Sequence, residues 1–122
     1  MRIIIVDDIF TNRLLLSEIL EDLGYEFFLA KNGREAVDEL AVKEYDLVLM
    51  DIEMPVMNGV EATKYIREEM PEPKNKIPIV ALTAHNPKLF FDDYNDVGFS
   101  NLLTKPYSVI KIKELIEDFV VS

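Results

Sequence analysis

The sequence contains no cysteine, no tryptophan and a single histidine. Without thiols there is neither a disulfide nor a thiolate metal site, and one imidazole cannot supply the paired histidines of a zinc centre. Basic residues are also scarce: 13 Lys and Arg stand against 23 Asp and Glu, a formal net charge of −10 at pH 7. A field of that sign repels phosphate backbones and anionic headgroups, which argues against direct binding to nucleic acid or to a membrane surface. Nowhere do about 20 apolar residues run together, and nothing resembles a signal peptide. A cytoplasmic location is expected.

What is present is the balance of a globular domain, 122 residues of which 49% are apolar and 30% charged. A chain of this length can bury about two-thirds of the surface that its unfolded form exposes, so one domain is expected. Short apolar runs recur at 3–6, 27–30, 47–50 and 79–82. Each is too short for a helix and apolar without alternation, the pattern of strands covered on both faces. A fifth run at 99–103 is interrupted by Ser100 and Asn101 and rests on its place in the pattern.

Between the runs the apolar period changes. Leu16, Ile19, Leu20 and Leu23, and again Ile112, Leu115, Ile116 and Phe119, are spaced i, i+3, i+4, i+7 and form stripes facing a core. Gly24 is placed to close the first helix and Asn32-Gly33 to open the second. Ala62, Tyr65 and Ile66 mark a third helix ending before Pro71, residues 87–98 a fourth, and residues 71–76 read as a surface loop. The alternation predicts an α/β domain of three layers (αβα) in which a mostly parallel sheet with right-handed crossovers carries helices on both faces.

Ligands of open parallel sheets bind outside the carboxyl ends of the strands, where strand order reverses. The strand ends can be read directly: Asp7-Asp8 after the first run, Asp51 after the third, Thr83 after the fourth and Lys105-Pro106 after the fifth. Two carboxylates about 4 Å apart repel by roughly 4 kcal/mol at an effective dielectric near 20, so a compensating cation is needed. Oxygen donors without Cys or paired His suit Mg²⁺ better than Zn²⁺. A carboxylate beside Mg²⁺ can attack phosphorus while a Lys and a hydroxyl bind the transferring oxygens. Asp51, Lys105 and Thr83 supply those parts. Asp7-Asp8 or Thr83 alone would read as helix caps, and Lys105 alone as a surface charge; the constellation gives them meaning.

Ile-Val-Asp-Asp at 5–8, Leu-Met-Asp-Ile-Glu-Met-Pro-Val-Met-Asn-Gly at 49–59, Leu-Thr-Ala at 82–84 and Thr-Lys-Pro-Tyr at 104–107 resemble the receiver domains of bacterial two-component response regulators. The resemblance covers essentially the whole chain. It implies a flavodoxin-like, doubly wound sheet of five parallel strands in the order 2-1-3-4-5 with five helices, and residues 1–122 as a single receiver domain without an output domain. It further implies that Asp51 is phosphorylated, that Asp8, Asp51 and the backbone carbonyl of Glu53 ligate Mg²⁺, and that Asp7 acts through a bound water. Lys105 would pair with Asp51 and then with the phosphoryl group, Thr83 would move inward as the switch, and the Lys105–Pro106 bond would be cis. The donor would be a phosphohistidine on a histidine kinase or a histidine phosphotransfer protein. The readout to a downstream protein target would use the fourth helix, fifth strand and fifth helix, a surface that is also a candidate for homodimer contact.

The chain departs from the pattern at Leu102, where receivers often carry an aromatic that swings inward with the Thr. Glu53 and His85 stand where side chains in this family border the path of the attacking water and tune the lifetime of the phosphoryl group. The fourth helix sets Phe90, Phe91 and Tyr94 among Asp92, Asp93 and Asp96, an aromatic group that reads first as partial core and second as a partner surface. A haloacid-dehalogenase phosphatase would need Asp-x-Asp after the first strand, where Asp7-Asp8-Ile9-Phe10 stands. A flavodoxin would need a Ser/Thr-rich phosphate loop at the same place. A receiver-like interaction module that is never phosphorylated is the remaining alternative. The chain reads as a stand-alone regulator or as a receiver cut from a hybrid kinase, Met1 favouring the first.

Overall fold

Apolar runs without alternation and apolar stripes of helical period become the two kinds of element expected of them. The computed structural model describes residues 1–84, 87–106 and 108–120, and the side chains of all of these except 87, 89, 91 and 120. Within them β1 (Arg2–Val6), α1 (Phe10–Leu23), β2 (Glu26–Ala30), α2 (Gly33–Val42), β3 (Leu47–Asp51), α3 (Gly59–Glu69), β4 (Ile79–Thr83), α4 (Pro87–Tyr94), β5 (Asn101–Thr104) and α5 (Val109–Val120) alternate along the chain. The strands form one parallel sheet in the order β2-β1-β3-β4-β5, as the resemblance implied.

Because strand side chains alternate between faces, each central strand feeds two cores. Ile4, Val6, Val48, Met50 and Ile79 pack against Ala36, Val37 and Leu40 of α2 and Ala62 and Ile66 of α3. Ile3, Ile5, Leu47, Leu49, Val80 and Leu82 pack on the other face against Leu16, Ile19 and Leu20 of α1 and Ile112, Leu115 and Ile116 of α5. Three layers follow. Among the described residues no helix is long and apolar enough to cross a membrane.

Local chemistry sets the helix ends. Gly24 takes φ 79°, and its N–H bonds back to the last turn of α1, a left-handed cap that a side chain would strain. Asn32 accepts a hydrogen bond from the Glu35 N–H, while Asn58 and Glu61 form a reciprocal capping box at the start of α3; each such cap contributes about 1 kcal/mol.

Several expectations are corrected. The second strand is not covered on both faces: β2 is an edge strand, with Glu26 exposed and Phe27 and Phe28 half-buried. Tyr65 leaves the apolar stripe of α3 and is 42% exposed, while Thr63 takes a buried place beside Ala62 and Ile66. The fourth helix ends at Tyr94 and a turn completes the segment, and the fifth strand begins at Asn101, leaving Phe99 to pack into the cores. Residues 71–76 are a loop, but a pinned one that includes a 3₁₀ turn, Lys74–Lys76. The Lys74 ammonium donates to the Leu40 and Ala41 carbonyls at the end of α2, and Arg67 donates to the carbonyls of Asn75, Ile77 and Gly98.

Candidate functional site

Strand register builds the site. The chain runs from β1 outward to β2 on one side and returns to β3 on the other, so the order reverses between β1 and β3. Val6 is the register partner of Met50, which sets Asp7 beside Asp51. Thr83 is the partner of Thr104 on the far side, and the Lys105 N–H donates to the Thr83 carbonyl at 2.7 Å. Asp51 and Thr83 are the last residues of β3 and β4, each strand running one residue past its apolar run.

Carboxylate oxygens of Asp7, Asp8 and Asp51 lie within 4.8 Å of one another. Asp7 is fully buried, Asp51 is 4% exposed and Asp8 is exposed. The Lys105 ammonium stands 3.2 Å from Asp51 Oδ1 and 3.9 Å from Asp7 Oδ2. Asp51 Oδ1 also accepts the N–H of Ile52 at 2.8 Å. Burial, and then the charge of Asp7, push the Asp51 carboxyl above its ordinary range, against the pull of Lys105. A cleft of about 210 Å³ opens over these groups, lined by Asp8, Asp51, Glu53, Thr83 and Lys105 among others. Thr83 is 3% exposed, and Glu53 is exposed at the rim.

Three carboxylates facing one ammonium leave an excess of negative charge in a partly dry cleft. Oxygen-only donors at this spacing fit a hard divalent cation, with Asp8 and Asp51 on the open side. The donor set therefore agrees with the metal expected from the sequence.

The remaining expectations fall as follows. Pro106 follows a cis bond from Lys105, and a second cis bond joins Glu72 and Pro73. Leu102 is half-buried and packs against Ile52, Ala81 and Phe90. Phe90 is core, 1% exposed, and Tyr94 lies half-buried beside it. His85 and Tyr107 lie outside the described residues, as does the side chain of Phe91.

Sequence reasoning missed the residues that hold Asp7. Its Oδ1 accepts the Ile9 N–H at 2.9 Å, its Oδ2 accepts from Asn12 Nδ2 at 3.2 Å, and its carbonyl accepts from Arg13 Nη1 at 2.8 Å. An amide and a guanidinium one helical turn beyond paired carboxylates were the available signal. The role of Gly59 was also missed. Its N–H bonds to the Ile52 carbonyl at 2.9 Å, and a Cβ there would lie 2.1 Å from the Asp51 carbonyl oxygen. Only glycine lets α3 start this close to the end of β3.

A doubly wound parallel sheet with an acidic cleft, a buried Asp and a facing Lys defines a phosphoacceptor class of α/β domain. Residues 3–117 match the response regulator receiver domain; the chain belongs to that family, whose members are regulatory phosphoacceptor modules of phosphorelay signalling. It is 38% identical over 116 residues to a sensor protein, GacS, of Pseudomonas syringae pv. syringae, which covers 94% of this chain and 13% of that protein. The chain thus spans a small part of that relative's length. It is also similar to the receiver domain of a sensor histidine kinase from Pseudomonas aeruginosa, solved with a magnesium ion coordinated in its active-site cleft (TM-score 0.89, 30% identity, 99% of this chain and 98% of that one). A third likeness is to the co-crystal structure of the Saccharomyces cerevisiae phosphotransfer protein Ypd1 with the receiver domain of Ssk1 (TM-score 0.89, 31% identity, 98% of this chain and 88% of that one).

Proposed function

We propose that this chain takes a phosphoryl group from a phosphohistidine, on a histidine kinase or a histidine phosphotransfer protein, onto the carboxylate of Asp51, and that the modified domain presents an altered surface to a downstream protein in the cytoplasm. The observation that carries this reading is the buried Asp51, its Oδ1 held by Lys105 at 3.2 Å and by the Ile52 N–H at 2.8 Å. With both of these contacts on Oδ1, Oδ2 is the oxygen offered to phosphorus.

Attack by Oδ2 forms the new P–O bond as the P–N bond to the donor imidazole breaks; the donor ring, already protonated on its other nitrogen, takes the P–N electron pair and leaves as neutral imidazole. Lys105 moves from the carboxylate to a phosphoryl oxygen, and the Thr83 hydroxyl supplies a second donor. Mg²⁺ held by Asp8, Asp51 and the Glu53 carbonyl would offset the charge gathered on the phosphoryl oxygens. Asp7, its carboxylate held by the Ile9 N–H and Asn12, would act on the metal through a bound water. Hydrolysis by water would be the chain's own dephosphorylation, with Glu53 at the rim of the cleft and, as the resemblance implies, Glu53 and His85 tuning its rate. The protein acts on no other substrate in this reading.

Residues 1–122 are taken as one receiver unit. Its readout surface is α4, β5 and α5, because these flank Thr83 and Lys105, and a second copy of the chain would meet the same surface. The test is intact mass after incubation with acetyl phosphate, with and without Mg²⁺, beside Asp51→Asn. A Mg²⁺-dependent gain of one phosphoryl group, lost in the variant, is expected. A folded protein that binds Mg²⁺ and gains nothing would instead be an interaction module of the same fold.

A further inference from the structure

Asp51 stands at one end of a short path of packed side chains. Ile52 follows it, donates its N–H to Asp51 Oδ1 and buries its own side chain to 5% exposure. That side chain joins Ala81 and Phe90 in a small apolar cluster distinct from the two main cores, with Val60, Tyr94, Phe99 and Leu102 packed against it. Ala81 lies two residues before Thr83 and is the register partner of Leu102. The cluster therefore touches the end of β3, the strand that carries Thr83, β5 and, through Phe90, α4.

Phe90 dominates this cluster. It is 1% exposed, and its ring meets Tyr94 edge-on at 5.1 Å and Phe99 at 5.4 Å between centroids. Beyond the far end of α4 the chain is tethered, since Arg67 donates from Nε and Nη2 to the Gly98 carbonyl at 2.9 and 2.7 Å. A Leu at 102 is smaller than an aromatic, and the fully buried ring of this neighbourhood comes from the helix instead. A ring seated against both Ile52 and β5 cannot stay in place if either shifts, because close-packed interiors respond by discrete repacking.

We propose that Phe90 is the positioning residue that couples the state of Asp51 to α4, acting from the helix side of a seat that an aromatic at position 102 would fill from the strand. The inference rests on Asp51 being the phosphoacceptor. Modification moves the backbone at Asp51-Ile52 and at Thr83, the Phe90 ring reseats, and α4 turns about its tether at Gly98.

The test uses the full chain as wild type, Phe90→Leu, Leu102→Phe and the double variant. Each is followed by intact mass, by melting temperature, and by amide NMR shifts of Ile52, Thr83, Asp92, Asp93 and Tyr94 before and after treatment with acetyl phosphate and Mg²⁺. Phe90→Leu is expected to gain the phosphoryl group and to keep the shifts of Ile52 and Thr83, while the α4 amides move less than half as far as in wild type. Leu102→Phe alone should melt lower, because two rings crowd one seat. The double variant should regain both melting temperature and α4 response, a non-additivity expected only of residues that share a site. Full α4 shifts in phosphorylated Phe90→Leu, or a double variant that melts lower by the sum of the single effects, would overturn the proposal. Failure of the wild type to gain mass would overturn the reading of Asp51 itself and this inference with it, and the mass spectrum separates that case from the others.

Discussion

Asp51→Asn should make the metal-free protein more stable while it removes the acceptor. The carboxylate oxygens of Asp51 and Asp7 lie within 4.8 Å, and at an effective dielectric near 20 such a pair repels by about 3.5 kcal/mol. Lys105, at 3.2 Å, returns about 5 kcal/mol in the same approximation. Its side chain is 24% exposed, so solvent screens that attraction further and the two charge effects nearly cancel. What decides the sign is burial of the Asp51 charge, worth several kcal/mol for a fully desolvated ion and less in a cleft open on one side. An Asn has nearly the same shape and no charge, so a net gain of about 1–3 kcal/mol is expected, or roughly 4–10 °C in Tm for a domain of this size. The Asp51 pKa is raised in the folded state from 3.8. Wild type therefore recovers stability as pH falls through the raised value, and its deficit against the variant closes below 3.8. Urea denaturation followed by circular dichroism in chelator-treated buffer at neutral pH measures the difference. Added Mg²⁺ should stabilise wild type by about 1.4 kcal/mol for each tenfold excess over its Kd and the variant by less. A variant less stable than wild type without metal would refute the reasoning, since Lys105 would then outweigh burial and repulsion together.

Gly59→Ala places a methyl 2.1 Å from the Asp51 carbonyl oxygen, so the start of α3 or the end of β3 must shift; a loss of about 3 kcal/mol or more is expected, read by the same denaturation, together with slower phosphoryl uptake. Tyr45 donates its hydroxyl to Glu39, and burial first, then that carboxylate, push its pKa up to about 12. Its contribution to stability is intact below 10.0 and lost as pH rises through about 12. Phenolate absorbance titrations of wild type and Tyr45→Phe isolate it among the five tyrosines, Glu39→Gln should bring it down, and titration together with the other tyrosines would show that the contact does not form in solution.

The alternation of strands and helices was legible because β1, β3 and β4 are buried almost throughout and leave an unbroken apolar trace. The site was legible for a related reason: a carboxylate, hydroxyl or ammonium directly after such a run can only lie at the carboxyl edge of the sheet. β2 misled because an aromatic edge strand, half-covered by neighbouring helices, reads like a central one. The fourth helix ran long because its Phe, Tyr and Val spacing continues through a turn in which Val97 N–H bonds to the Tyr94 carbonyl.

By itself the sequence determined the three-layer class, the strand ends and which residue types meet there, since period and polarity are local properties of the chain. The tertiary structure alone decided which partners hold them. Asn12 on Asp7, Gly59 against Asp51, Arg67 on Gly98 and Phe90 of α4 against Ile52 and Ala81 are contacts set by the register and packing of separate elements. A period reports which face a residue presents, and the neighbour it meets there comes from another part of the chain.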